Sequence, residues 1–312
     1  MTAFSDFCAV FFKKYFDLHP TEAVNYGVEG YDHLLNDYSD EAYGEEKGFA
    51  EESLKKLRQV SVKGLTRDET IDYALLEGRL TIENYEFNKE DYRLKWPELP
   101  LPIQHIYILT VRPTNDIIGN ITSRLERSPA VINQGIANLS RPEANPPRLW
   151  SEMAIEAAKG GITFLCDLPN HPKVKQALKD PLRFKAALEK SKRVIDDFRE
   201  FLERDLLPRS HGTYAVGEEH YHLLLKKRHF LNQDAQGLLA MGESLFDQTK
   251  KELAALTEEI APGKSIEDLA LKIQENHPPS DGLLPAYKKA MEAARKFVGE
   301  KRLVSFPLRE DL

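Results

Sequence analysis

The densest run of side chains able to do chemistry is Tyr214, Gly217, Glu218, Glu219, His220, Tyr221 and His222, reached through an irregular segment that also carries His211. Carboxylates and imidazoles move protons near neutral pH and ligate first-row metals. On a helix, Glu219 and His222 are three apart and Glu218 and His222 four apart, so each pair shares a face, as in dinuclear carboxylate bundles. Those bundles take a second Glu-x-x-His from another helix, and this chain has none. His220 and His222 project about 200° apart on a helix, so both can bind one ion only if the segment is extended. Three readings stay open: a helix start whose acidic residues meet the N-terminal dipole, a substrate-cleft contribution from Tyr214, Glu218, Glu219, His220, Tyr221 and His222, and an autonomous hydrolase centred on Glu218–His222.

Other motifs fail on spacing. The zinc-peptidase pattern H-E-x-x-H sets two imidazoles one turn apart with a glutamate to activate the metal-bound water. No two of the nine histidines are four apart, so no zinc or other cofactor site is expected within this chain. Gly263, Lys264 and Ser265 match the end of a phosphate-binding loop, but Glu258 stands where its first glycine is needed. Phe246 takes the second glycine position of a nucleophile elbow at Ser244. Cys166, next to Phe164 and Leu165, reads as a small core residue. The acidic, aromatic run Gly30–Asp40 lacks the spacing of a calcium loop and reads as a packed turn.

The elements that must position these groups are almost all helical. Phe4, Phe7, Phe11 and Tyr15 lie on one face of an amphipathic helix directed to a core. Thr66 with Glu69 forms a capping box ahead of Ile71, Ala74, Leu75 and Leu76. Ser128–Pro129 and Asp180–Pro181 each place a cap residue before a first-turn proline. Phe184, Leu188, Ile195, Phe198 and Leu202 predict a long helix running to Pro208. Another helix is expected from Asn232 to before Pro262, a restart at Ser265 and Asp268, and a last helix through Tyr287, Met291, Ala294 and Phe297 closed by Gly299. The prolines between Trp96 and Pro102 predict an extended connector that could line a site. Arg302–Phe306 is the one further strand candidate. The fold expected is all-α: an irregular multi-helix array with long antiparallel helices and at most a few short strands. Residues 1–312 read as one continuous helical body with a soft boundary near 208–217, and no repeat period is visible.

Composition narrows the partners. A net charge of −7, with Lys and Arg scattered among Asp and Glu, argues against nucleic acid. The Phe-rich start is too charged for a signal peptide or a membrane span. Two distant cysteines, Cys8 and Cys166, suggest a reducing, cytoplasmic setting.

Taken in order along the chain, several segments resemble the bacterial family called domain of unknown function 885. They are Pro20, Ala23 and Gly27 before Tyr31, Asp32 and Asp37; Asp72, Tyr73, Leu75 and Leu76; Arg124, Leu125 and Pro129; the stretch Gly160–Leu165; and Tyr214–Gly217, Glu218 and Tyr221. Members of that family resemble helical zinc peptidases of the gluzincin type. The resemblance implies a longer protein whose zinc-binding H-E-x-x-H helix lies in a further C-terminal half, which is then the main expected partner. This chain would form one wall of a substrate cleft for a peptide and would not hydrolyse peptides alone. A helical wall lacking its counterpart is expected to show an exposed apolar face, through which the chain could dimerise. A stand-alone helical binding or scaffold protein is the alternative.

Overall fold

The computed structural model describes residues 2–178 and 180–305. Among them are thirteen α-helices and no β-strand, the only bridge being an isolated parallel one between Pro147 and Gly212. The chain divides into two compact units, Met1–Ala235 and Gln236–Leu312.

In the first unit, α1 (Ala3–Leu18), α2 (Pro20–Asn25), α3 (Asp40–Leu57) and α4 (Arg67–Lys89) come first. Phe4, Phe11 and Tyr15 of α1 are buried with Leu57, Leu76 and Leu80, and Phe7 packs against them, so the aromatic stripe is a core face as its spacing predicts. Helix α4 opens on the Thr66–Glu69 capping box, in which the Thr66 hydroxyl accepts from the Glu69 N–H and the Thr66 N–H donates to the Glu69 carboxylate. Leu76 is buried, whereas Ile71 and Leu75 are exposed.

The second core is built by α5 (Ile103–Val111), α6 (Ile117–Leu139), α7 (Arg148–Asp167), the short α8 (Pro172–Ala177) and α9 (Pro181–Phe201). Asp180 caps α9 ahead of Pro181, and Phe184, Leu188, Ile195, Phe198 and Leu202 are all buried. A π turn at Leu202–Leu206 and a 3₁₀ turn at Leu207–Arg209 end it. Helix α10 (Glu218–Lys227) completes the unit.

Several expectations are corrected here. Ser128–Pro129 is not a helix start, for both residues lie inside α6. The buried Ser128 hydroxyl donates to the Arg124 carbonyl one turn back, so it joins the helix rather than capping a new one. Cys166 is exposed on α7 because the neighbouring Leu165 takes the inward position. The Trp96–Pro102 connector folds into successive turns, with the Leu99 N–H donating to Trp96 and the Leu101 N–H to Glu98, so its prolines sit where no donor is needed. Segment 208–217 lies within the first unit, tied to 145–146 by the His211 N–H to the Asn145 side chain and the Gly212 N–H to the Pro146 carbonyl. The division therefore falls after α10.

The second unit contains α11 (Ala235–Ile260, its first residue in the first unit), α12 (Ile266–Gln274) and α13 (Leu283–Glu300). Helix α12 starts on the Ser265–Asp268 capping box. Gly299 remains helical, and the left-handed residue that closes α13 is Arg302 at φ 51°. Residues 302–305 form no strand, and Phe306 lies outside the described residues. Leu245, Phe246, Leu256, Ile260, Leu271, Tyr287 and Phe297 are all exposed, so the apolar stripes of these helices cover no core of their own. No helix among the described residues is long and apolar enough to cross a membrane.

Candidate ligand cavity

A cavity of about 840 Å³ opens within the first unit. Its walls come from α1, α2, α3, α4 and α10, from the irregular segment at 36–38 and the turns at 92–99, and from Trp150 and Tyr214. The volume suits a small ligand or a few residues of a peptide. Aromatic rings make much of its surface: Tyr15, Tyr38, Phe49, Phe87, Tyr92, Trp96 and Trp150. The two tryptophans are the only ones in the chain, and their rings are 5.9 Å apart.

Two polar groups lie among these rings. In the first, the Tyr92 hydroxyl donates to Glu46 at 2.7 Å, and His19 Nε2 lies 3.4 Å from the other Glu46 oxygen. Burial, with help from Glu83 and Asp91, pushes the Glu46 carboxyl up to about 7 against the bond from Tyr92. Burial and then the Arg79 guanidinium push His19 down to about 4. In the second, Arg79 donates to Glu83 at 2.7 Å and to the Tyr15 hydroxyl at 2.5 Å, with its guanidinium over the Tyr15 ring. Burial raises Glu83 above the usual carboxylate range even so.

Glycine sets the start of α10: Gly217 has φ +84°, which turns the chain from the irregular segment into the helix. Tyr214 and His220 then line the cavity, His220 Nε2 lying 3.1 Å from Glu86 and its ring 5.1 Å from that of Tyr85. Glu219 points elsewhere, to Lys89 at 3.3 Å, and is exposed, as are Glu218 and Tyr221. His222 Nε2 accepts from the Ala235 N–H at 3.2 Å, which ties α10 to the start of α11. The cluster thus opens a helix with two acidic residues in its first turn, and only Tyr214 and His220 reach the cavity. No group of three His, Cys, Asp or Glu able to hold a metal occurs among the described residues.

The chain matches, over residues 20–309, the profile of a family described as a bacterial protein of unknown function, DUF885. It belongs to that family. Three solved chains match the fold. One, from Shewanella oneidensis, is described as "a putative lipoprotein of unknown function"; it is 20% identical and superposes with a TM-score of 0.72. All of this chain is covered and 60% of that one, so the chain spans about three fifths of its structural relative's length. At this identity the likeness shows the fold alone. No curated protein matches.

In this DUF885 chain the sequence reasoning missed Glu46, Glu83, Glu86, His19 and Tyr92. A signal was present: Arg79, Glu83 and Glu86 follow a step of four and then three along one face of α4.

The Glu46–His19 pair makes a pH prediction. Between about pH 4.5 and 6.5 the unfolded pair holds one proton, on His19. The folded pair also holds one, placed on Glu46 by the burial of both groups. With equal proton counts the pair contributes no slope to stability. Glu46→Gln removes this balance: a lone His19 depressed in the folded state makes stability fall as pH drops from about 6.5 toward 4. His19→Asn does the reverse, because the raised Glu46 makes stability fall as pH rises from about 4.5 toward 7. Each change is expected to amount to about 2 kcal/mol across its window. Urea unfolding of both variants and the parent from pH 4.5 to 7 checks this, and parallel curves would refute it.

Proposed function

We propose that this chain is the ligand-binding helical portion of a zinc-peptidase-like protein, its cavity forming one wall of a cleft for peptide and the metal-bearing portion lying outside these 312 residues. The observation carrying this reading is the aromatic, glutamate-lined cavity in the first unit. Family membership and a structural relative of greater length support it. The zinc ligands are expected from the further protein, as are the side chains that activate water. Tyr214 and His220 serve the cleft as positioning groups, while Glu219 bonds Lys89 and His222 bonds the Ala235 N–H. The exposed apolar residues of α11, α12 and α13 would receive the further protein or, in its absence, a second copy of this chain. The free cysteines favour a reducing compartment, which fractionation of the native cells would check against the lipoprotein description of the Shewanella relative.

Because both tryptophans line the cavity, their emission reports its occupancy. A phenylalanine-led tetrapeptide amide should change that emission saturably. The same preparation should contain no stoichiometric zinc and leave the peptide intact. Absence of binding would refute the cleft reading, and chelator-sensitive hydrolysis by this chain would refute the division of labour.

A further inference from the structure

The acidic and basic groups around the cavity are unequal in number. Five carboxylates line it, Glu22, Glu46, Glu83, Glu86 and Glu90, against the cations Arg79, Lys95 and Arg228. Arg79 is engaged by Glu83 and Lys95 by Glu90, while Arg228 is exposed. Glu46 faces a tyrosine hydroxyl and an imidazole, and Glu86 faces the His220 imidazole; among the described residues neither has a Lys or Arg within ion-pair distance. A carboxylate drawn out of water without a cation is costly, and a ligand cation relieves that cost. Ring faces attract cations as well, and Tyr15, Tyr38, Tyr92 and the two tryptophans line the same space. An anionic ligand would find both deeper cations already paired.

Resting on the reading of the cavity as a peptide site, we propose that it recognises the primary ammonium group at the amino terminus of a peptide, with Glu46 and Glu86 as its counter-charges between aromatic walls. The Glu46 carboxyl must then be ionised and the amino terminus protonated, so binding strengthens as pH rises toward Glu46's titration near 7 and weakens again above about 8. Burial sets that range first, then the Tyr92 hydroxyl and the charges of Glu83, Arg93 and Asp91; His19, Tyr38 and Tyr43 also face the carboxyl.

Three peptides on the full chain test this by tryptophan emission: the free-amino tetrapeptide amide, its N-acetyl form, and an N-acetyl form with lysine first. The free-amino peptide should bind at least tenfold more tightly than the acetylated one. Glu86→Gln, at a half-exposed position, and Glu46→Gln should each weaken free-amino binding about fivefold and so narrow its preference over the acetylated peptide, and the second should also remove the rise in binding below pH 7. Equal binding of free and acetylated peptides would overturn the ammonium assignment while leaving the peptide cleft intact. Equal binding of the acetylated lysine peptide and the free-amino one would overturn the assignment to the amino terminus. Binding of none would overturn the cleft itself.

Discussion

Replacing Arg93 by Ala is expected to destabilise the first unit by about 3 kcal/mol, lowering its thermal midpoint by about 10 °C. Arg93 is 4% exposed and spends every guanidinium nitrogen. It donates to Asp91, to Asp40 at 2.9 Å, and to the carbonyls of Tyr38 and Ser39 at 3.0 and 2.8 Å, with its guanidinium over the Tyr43 ring. Truncation leaves the half-buried Asp91 carboxylate without its cation and takes one donor from each of two carbonyls, where water cannot enter without opening the core. The Tyr38 carbonyl keeps one further bond, from Asn138, and the Tyr38 N–H keeps Gln134. The turn should therefore loosen rather than detach, and peptide binding should weaken because Tyr38 is part of the cavity wall. Differential scanning calorimetry together with the emission titration checks both consequences. A midpoint within a degree or two of the parent would show that the bonds to Arg93 are dispensable.

The second large effect concerns one chemical change made at two places with opposite outcomes. Gly78, buried in α4, faces the backbone of α10, and a Cβ there would lie 2.3 Å from the Lys227 carbonyl oxygen. Gly78→Ala gains about 1 kcal/mol of helix propensity. It must also push apart two helices at a contact made of backbone, which cannot rotate away, and such overpacking costs about 1–3 kcal/mol. Since the neighbour is rigid, the upper end applies and a net loss of about 2 kcal/mol is expected. Gly48, exposed in α3, has open space around its Cβ position, so Gly48→Ala should stabilise by up to about 1 kcal/mol. Denaturant midpoints measured side by side should move in opposite directions. Displacement of α10 would also carry His220 and Leu224 out of the cavity wall, so only Gly78→Ala should impair peptide binding.

The all-α architecture was readable because its signals are local. Thr66 with Glu69, Ser265 with Asp268 and Asp180 with Pro181 write helix starts within four residues, and the Phe4–Tyr15 stripe writes a core face within twelve. Ser128–Pro129 carries the same local signature but lies inside α6, where burial and the Arg124 carbonyl decide instead. A helix start and a proline within a helix differ in what surrounds them, and that information is not local. The cavity was less legible for the same reason. Tyr214 and His220 stood out through the density of polar residues around them, while Glu46 and Glu86 sit on helices whose charged residues look like ordinary solvated faces. Only the fold brings residues from Tyr15 to Arg228 around one space.

The position of Trp96 and Trp150 also divides the chain for spectroscopy, since Gln236–Leu312 contains no tryptophan, whereas helices occur in both units. Indole emission therefore follows the melting of the first unit alone, and far-ultraviolet circular dichroism follows both. Coincident transitions would mark one cooperative molecule, and separated ones would give each unit a free energy of its own.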